Sequence, residues 1–174
     1  MLTSPEPQLF SPSVVTLGRY EALVPQIADA VADAVADAVK DGLSLHRVAL
    51  GCVFLQPVPS REEGYRALAP FLPALRIEPD SSTELVYQIN RRRPSKIVDG
   101  LQVNRITKWS VQAMITLPIQ VTGGQIMAQT TFAARLETDV STAQDFAKEL
   151  PEVARLVSEL RDMTVELAAK GDIP

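Results

Sequence analysis

Six of the chain's 17 basic residues fall between positions 91 and 108: Arg91, Arg92, Arg93, Lys96, Arg105 and Lys108, opposed only by Asp99. The segment therefore carries +5, and the remaining 11 basic and 20 acidic residues leave −9 on the rest of the chain. Within it, Gln88-Ile89-Asn90-Arg91 is echoed by Gln102-Val103-Asn104-Arg105. On strands, the alternation puts Gln and Asn on one face and the aliphatic residue and Arg on the other. If the two strands pair, both arginines fall on the same side. Arginine offers five donors and grips phosphate bidentately, and Asn and Gln reach base edges. Tyr87 and Trp109 supply rings that stack on bases. Two further readings stand beside nucleic acid: a basic edge that pairs with the chain's own acidic helices or blocks edge aggregation, and a surface for an acidic protein. Trp109 alternates with Val111, which suits a core position.

Other candidates for chemistry are sparse. No phosphate loop, dinucleotide fingerprint, nucleophile elbow or zinc-protease helix is present. His46 stands beside Arg47 at a strand start, and Ser44 two residues away is no evidence of a dyad. Glu137 and Asp139 share a strand face that Mg²⁺ favours in principle, though carboxylates at a strand end are ordinarily solvated. One Cys and one His exclude an intramolecular disulfide and any site needing two of either. Cys52, inside an apolar run, reads as a small buried hydrophobe. No catalytic residue, cofactor or metal is implied.

The elements that would position these residues read as follows. Residues 1–13 hold three prolines and form an irregular arm, with a short strand from Ser13 to Tyr20. Ile27 to Lys40 is a helix built on three Ala-Asp-Ala-Val repeats. Its stripe Ile27, Val31, Val35 and Val39 is expected inside, with Asp29, Asp33 and Asp37 in water. Leu43 to Pro57 is a strand apolar on both faces, hence central. Ser60-Arg-Glu-Glu63 is a capping box opening a short helix. Leu85–Arg92 and Leu101–Leu117 form a hairpin. Gly123-Gly124 turns into a strand from Gln125 to Val140, with Ala134 and Leu136 facing in and Arg135 and Glu137 out. A long C-terminal helix, capped by Ser141 or Thr142 and with Pro151 where a second segment begins or a kink falls, carries the stripe Phe146, Leu150, Val153, Val157, Leu160, Thr164 and Leu167, widened by Leu156 and Met163, and stops at Gly171. Its heptad spacing also suits a coiled coil.

At 174 residues, 46% hydrophobic and 22% charged, the chain is one globular domain's worth. The expected fold is α+β: an antiparallel sheet of four to five strands packed by an N-terminal alanine-rich helix and a long C-terminal helix, one domain over 14–174. The opening residues show no secretory pattern. The longest apolar run, Val48 to Leu55, is far below the ~20 residues that span a bilayer. A cytoplasmic protein with no membrane role is expected. The run Asn104-Arg105-Ile106, the strand start Arg47-Val48, and Leu136-x-Thr138-Asp139-Val140 before a closing helix resemble a sporadically distributed bacterial family of uncharacterised proteins. That resemblance implies a bacterial or mobile-element origin and no activity. Helices stacked on such a sheet are also similar, at fold level alone, to export chaperones of the SecB type. The expected function is a non-catalytic protein-binding or assembly module with a protein partner or self-association. Nucleic-acid binding through hairpin 88–108 is the alternative, using Arg91, Arg92, Arg93, Lys96, Arg105, Lys108, Gln88, Asn90, Gln102 and Asn104. An enzyme with an unrecognised site comes third.

Overall fold

A computed structural model describes residues 18–116, 129–144 and 149–172. The arm at 1–13, the Gly123-Gly124 turn and Phe146 lie outside them, as does most of the strand expected at Ser13–Tyr20, whose last residue opens a helix instead. In chain order the elements are α1 (Tyr20–Lys40), β1 (Ala49–Val58), α2 (Arg61–Leu68), a 3₁₀ turn (Ala69–Phe71), β2 (Val86–Asn90), β3 (Arg93–Pro94), β4 (Gln102–Thr116), β5 (Gln129–Thr142) and α3 (Val153–Lys170). The sheet is antiparallel, ordered β1-β5-β4-β2, with β3 also pairing β4. The α+β architecture is thus as expected, with the described helices on one face.

The long central strands alternate cleanly. On β4, Val103, Arg105, Thr107 and Trp109 are buried under the helices, while Asn104, Ile106, Lys108 and Ser110 face outward. On β5, Ala134, Leu136, Thr138 and Val140 face in, and Arg135, Glu137 and Asp139 face out. Trp109 is a core residue, stacked on Phe71 at a ring-centroid separation of 5.7 Å. The capping box forms as expected, Ser60 Oγ accepting from the Glu63 N–H at 3.3 Å. Gly64 of α2 sits so close to β4 that an added Cβ would lie 2.7 Å from Val111.

Three expectations require correction. First, β1 is an edge strand, not a central one. Its outward residues Val53 and Leu55 are 55% and 41% exposed. Second, α3 begins at Val153, and Ser141 and Thr142 belong to β5 rather than capping it; Glu152, with φ +52°, precedes the helix without a side-chain cap. The Thr142 hydroxyl is instead engaged by the Val48 N–H at 3.0 Å.

Third, α1 starts seven residues earlier than expected, carrying Pro25 inside it, and its buried row is Val24, Ala28 and Ala32. Ile27, Val31 and Val39 are exposed, and Val35 is only partly buried. The reason is geometric. Rows of residues four apart run at about −26° to a helix axis, so the Ile-Val row crosses the buried face diagonally and enters it only near Val35. Small alanines then let α1 lie close to α3, where Ala32 packs with Val153, Leu156 and Val157. Ala32→Asp is accordingly expected to cost about 3 kcal/mol by burying a charge in that contact. Val31→Asp should cost less than about 0.5 kcal/mol, as exposed substitutions do. Parallel urea melts compare the two, and equal losses would show the diagonal row to be misplaced. The rest of α3 behaves as its stripe indicates, burying Val153, Leu156, Val157, Leu160, Met163, Thr164 and Leu167 within the chain and ending at Gly171.

Candidate functional site

The two copies of the Gln-aliphatic-Asn-Arg echo lie on β2 and β4, and those strands pair. The Arg91 N–H donates to the Arg105 carbonyl at 3.2 Å, so the two arginines stand across from one another on the inner face. Gln88, Asn90, Gln102 and Asn104 face outward. There the Asn90 amide donates to Asn104 Oδ1 at 3.0 Å, Arg92 Nε donates to the same oxygen at 2.9 Å, and Asn90 Oδ1 accepts from the Arg105 N–H at 3.0 Å. The echo thus builds an amide ladder outside and an arginine pair inside.

The inner arginines meet the last turns of α3. Asp172, only 3% exposed, accepts from Arg91 Nε at 2.5 Å, from Arg91 Nη2 at 3.0 Å and from the Tyr87 hydroxyl at 2.7 Å. Glu166 accepts from Arg93 Nη1 at 3.1 Å and from Lys170 at 3.4 Å. Arg105 is wholly buried, and its Nη2 lies 3.8 Å from Glu166, too far for a hydrogen bond. Among the described residues none of its three guanidinium nitrogens has a hydrogen-bond partner. Its inner-face neighbours Thr107 and Trp109 also bury polar side-chain atoms without partners among the described residues.

The electrostatics follow the geometry. Burial lowers the Arg105 pKa from its ordinary value, and repulsion from Arg93 and Arg91 adds to this. The hydrogen bond from Arg91 holds the Asp172 carboxyl below the ordinary carboxylate value, and Tyr87 helps, against the effect of burial. Burial pushes Glu166 up, but Arg93, Lys170 and Arg105 outweigh it and hold it below its ordinary value. The Tyr87 hydroxyl is raised by its bond to Asp172.

The remaining members of the basic segment are spread out. Lys96 is exposed, and its backbone N–H donates to Glu159 Oε1 at 2.6 Å. Ser95 Oγ donates to the other Glu159 oxygen at 2.6 Å and accepts from the Ile97 and Val98 N–H groups. The nearly buried Glu159 thereby fixes the turn that carries Lys96. Lys108 sits on the outer face, 3.2 Å from Glu137. Of the six cations, Arg91, Arg93 and Arg105 therefore turn inward to α3, which separates them from Arg92, Lys96 and Lys108.

Elsewhere, Glu137 engages Arg135 and Lys108, and Asp139 lies 4.0 Å from Arg47. Among the described residues no group of three or more potential ligands is placed to hold a metal. Cys52 is half-buried, and burial pushes its thiol up. His46 is exposed ahead of β1. Glu159, Glu166 and Asp172 complete the arrangement and are not among the candidates the sequence indicates, and Tyr87, expected as a stacking ring, instead donates its hydroxyl to Asp172. The Glu166–Lys170 spacing of four was the one local signal, and it is common on any exposed helix. Among the described residues no helix is long and apolar enough to cross a membrane. No family model, curated protein or solved structure matches this chain.

Proposed function

We propose that the chain is a non-catalytic protein-binding or assembly module that pairs an extended segment of a partner polypeptide with the edge of β1. The observation that supports this is the character of that edge. Across Ala49–Val58 there is no charged residue, whereas edges that must stay solitary ordinarily carry charges, prolines or bulges, and the proline here, Pro57, stands next to the strand's end. The Thr142 N–H donates to the Val48 carbonyl at 2.9 Å. With the register that follows, Gly51, Val53, Leu55 and Pro57 turn their backbone groups away from β5. Pro57, which has no N–H, occupies one of these outward positions. Among the described residues no strand pairs on that side. An incoming strand finds backbone donors and acceptors there, with Val53 and Leu55 beside them for alternate side chains, which is the logic of strand addition.

The test is the double variant Val53→Lys/Leu55→Lys. Both side chains are exposed, so the melting transition should move little, by about 0.5 kcal/mol or less at each position. Self-association by light scattering, or retention of a polypeptide partner after nuclease treatment, should be lost. Assembly or retention that survives both lysines would refute the edge as the docking element.

The nucleic-acid reading draws less support from the geometry, because three of the six cations face α3 rather than the outer surface. It predicts a linear fall of log K with log salt. The lysine variants add positive charge to the outer face and should leave such binding intact or tighter, so the two readings separate in one set of proteins.

A further inference from the structure

Arg105 places a charged group with five N–H donors in the interior with no hydrogen-bond acceptor among the described residues. Buried donors are almost always satisfied, and each exception calls for a cause. The cause here lies one layer outward. The Glu166 carboxylate lines a groove bounded by the Arg93–Ile97 segment on one side and α3 on the other, and Arg105, wholly buried and not part of the groove wall, has its Nη2 3.8 Å from that carboxylate. Arg93, Lys170 and Arg105 all lie within 4.0 Å of it, so three cationic side chains surround one carboxylate. Tethered to α3, that carboxylate reaches Arg93 and Lys170 but stops 3.8 Å short of Arg105.

We propose that Arg105, with Arg93 and Lys170, forms the floor of a phosphate-binding site in this groove, and that the Glu166 carboxylate is the internal group that phosphate replaces. A tetrahedral dianion has oxygens to spare for the Arg105 fork while still engaging Arg93 and Lys170, which a single tethered carboxylate does not. Glu166 is itself about a quarter exposed and has a route outward into the groove. The other acids on the groove wall are already engaged: Glu159 by Ser95 and the Lys96 N–H, and Asp162 by Arg161. The same chemistry accommodates free phosphate or the phosphate of a small ester.

The experiment titrates the full chain with inorganic phosphate, methyl phosphate and acetate at constant ionic strength, read by calorimetry and thermal melting. Phosphate should bind, and Glu166→Gln should tighten it about tenfold by removing the internal competitor. Phosphate should also raise the melting temperature of that variant more than that of the wild type. Lys170→Ala, at an exposed position, should weaken binding several-fold without loss of fold. Methyl phosphate binding as well as phosphate assigns an esterified ligand, and weaker binding assigns the free ion. A Glu166→Gln protein with native circular dichroism that binds phosphate no better than wild type overturns the proposal. So does an equal response to acetate.

Discussion

Gly171→Ala is expected to lower the unfolding free energy by about 3–5 kcal/mol, combining a backbone state nearly confined to glycine with overpacking. Gly171 ends α3 with φ +81° and ψ −156°, a region that L side chains hardly enter. Its N–H caps the helix by donating to the Leu167 carbonyl, and the next N–H, that of Asp172, donates to the Phe71 carbonyl at 2.9 Å. A Cβ at 171 would stand 2.7 Å from Phe71 Cα and 2.8 Å from Phe71 Cβ, with the carbonyl oxygen nearer still. These are backbone and near-backbone atoms of the 3₁₀ turn, whose ring stacks on Trp109, so they yield only if the core moves. Gly42→Ala is the control. Gly42 has φ +96° but nothing within 4 Å of the added atom, so only conformational strain of about 1 kcal/mol applies. Chemical denaturation of both variants separates collision from strain. Equal losses would mean that α3 does not close onto Phe71 as described.

How much of this was legible beforehand depended on where each constraint is stored. The alternation of β4 and β5, the Ser60 cap, the α3 stripe and the stop at Gly171 are local, and the sequence carries them directly. The echo was also informative, since a strand period of two puts Arg91 and Arg105 on one side once β2 and β4 pair. What lay beyond local reading was the neighbour. β1 is apolar on both faces, the usual mark of a central strand, yet sheet order is settled by which strands remain to flank it. Likewise the carboxylates that meet the inner arginines lie more than sixty positions away, Glu166 on α3 and Asp172 just past its end. There Glu166 reads as one more solvated acid on an amphipathic helix. In α1 the four-residue repeat was plain, but the inclination of its row determined which members are covered.

The second large effect is expected at Asp172. Asp172→Ala should cost about 3 kcal/mol, because it strips the partner from a largely buried ion pair. Two bonds from Arg91 and one from Tyr87 converge on this carboxylate, and losing it leaves Arg91 facing Arg105 with less compensation. Tyr87→Phe removes only one of the three bonds and should cost about 1 kcal/mol. The pH dependence gives an independent check. The folded carboxyl titrates below its ordinary value, chiefly through Arg91. Its stabilising contribution is therefore complete above the unfolded value of about 3.9 and is lost as the pH falls through the lower folded value. Asp172→Asn, which cannot ionise, should lie furthest below wild type at neutral pH, and the gap should narrow as the pH drops past that window. Urea melts at neutral and acid pH measure this directly. A gap that stays constant across the range would show that the Asp172 charge contributes nothing to holding α3 against β2, leaving only its hydrogen-bonding shape.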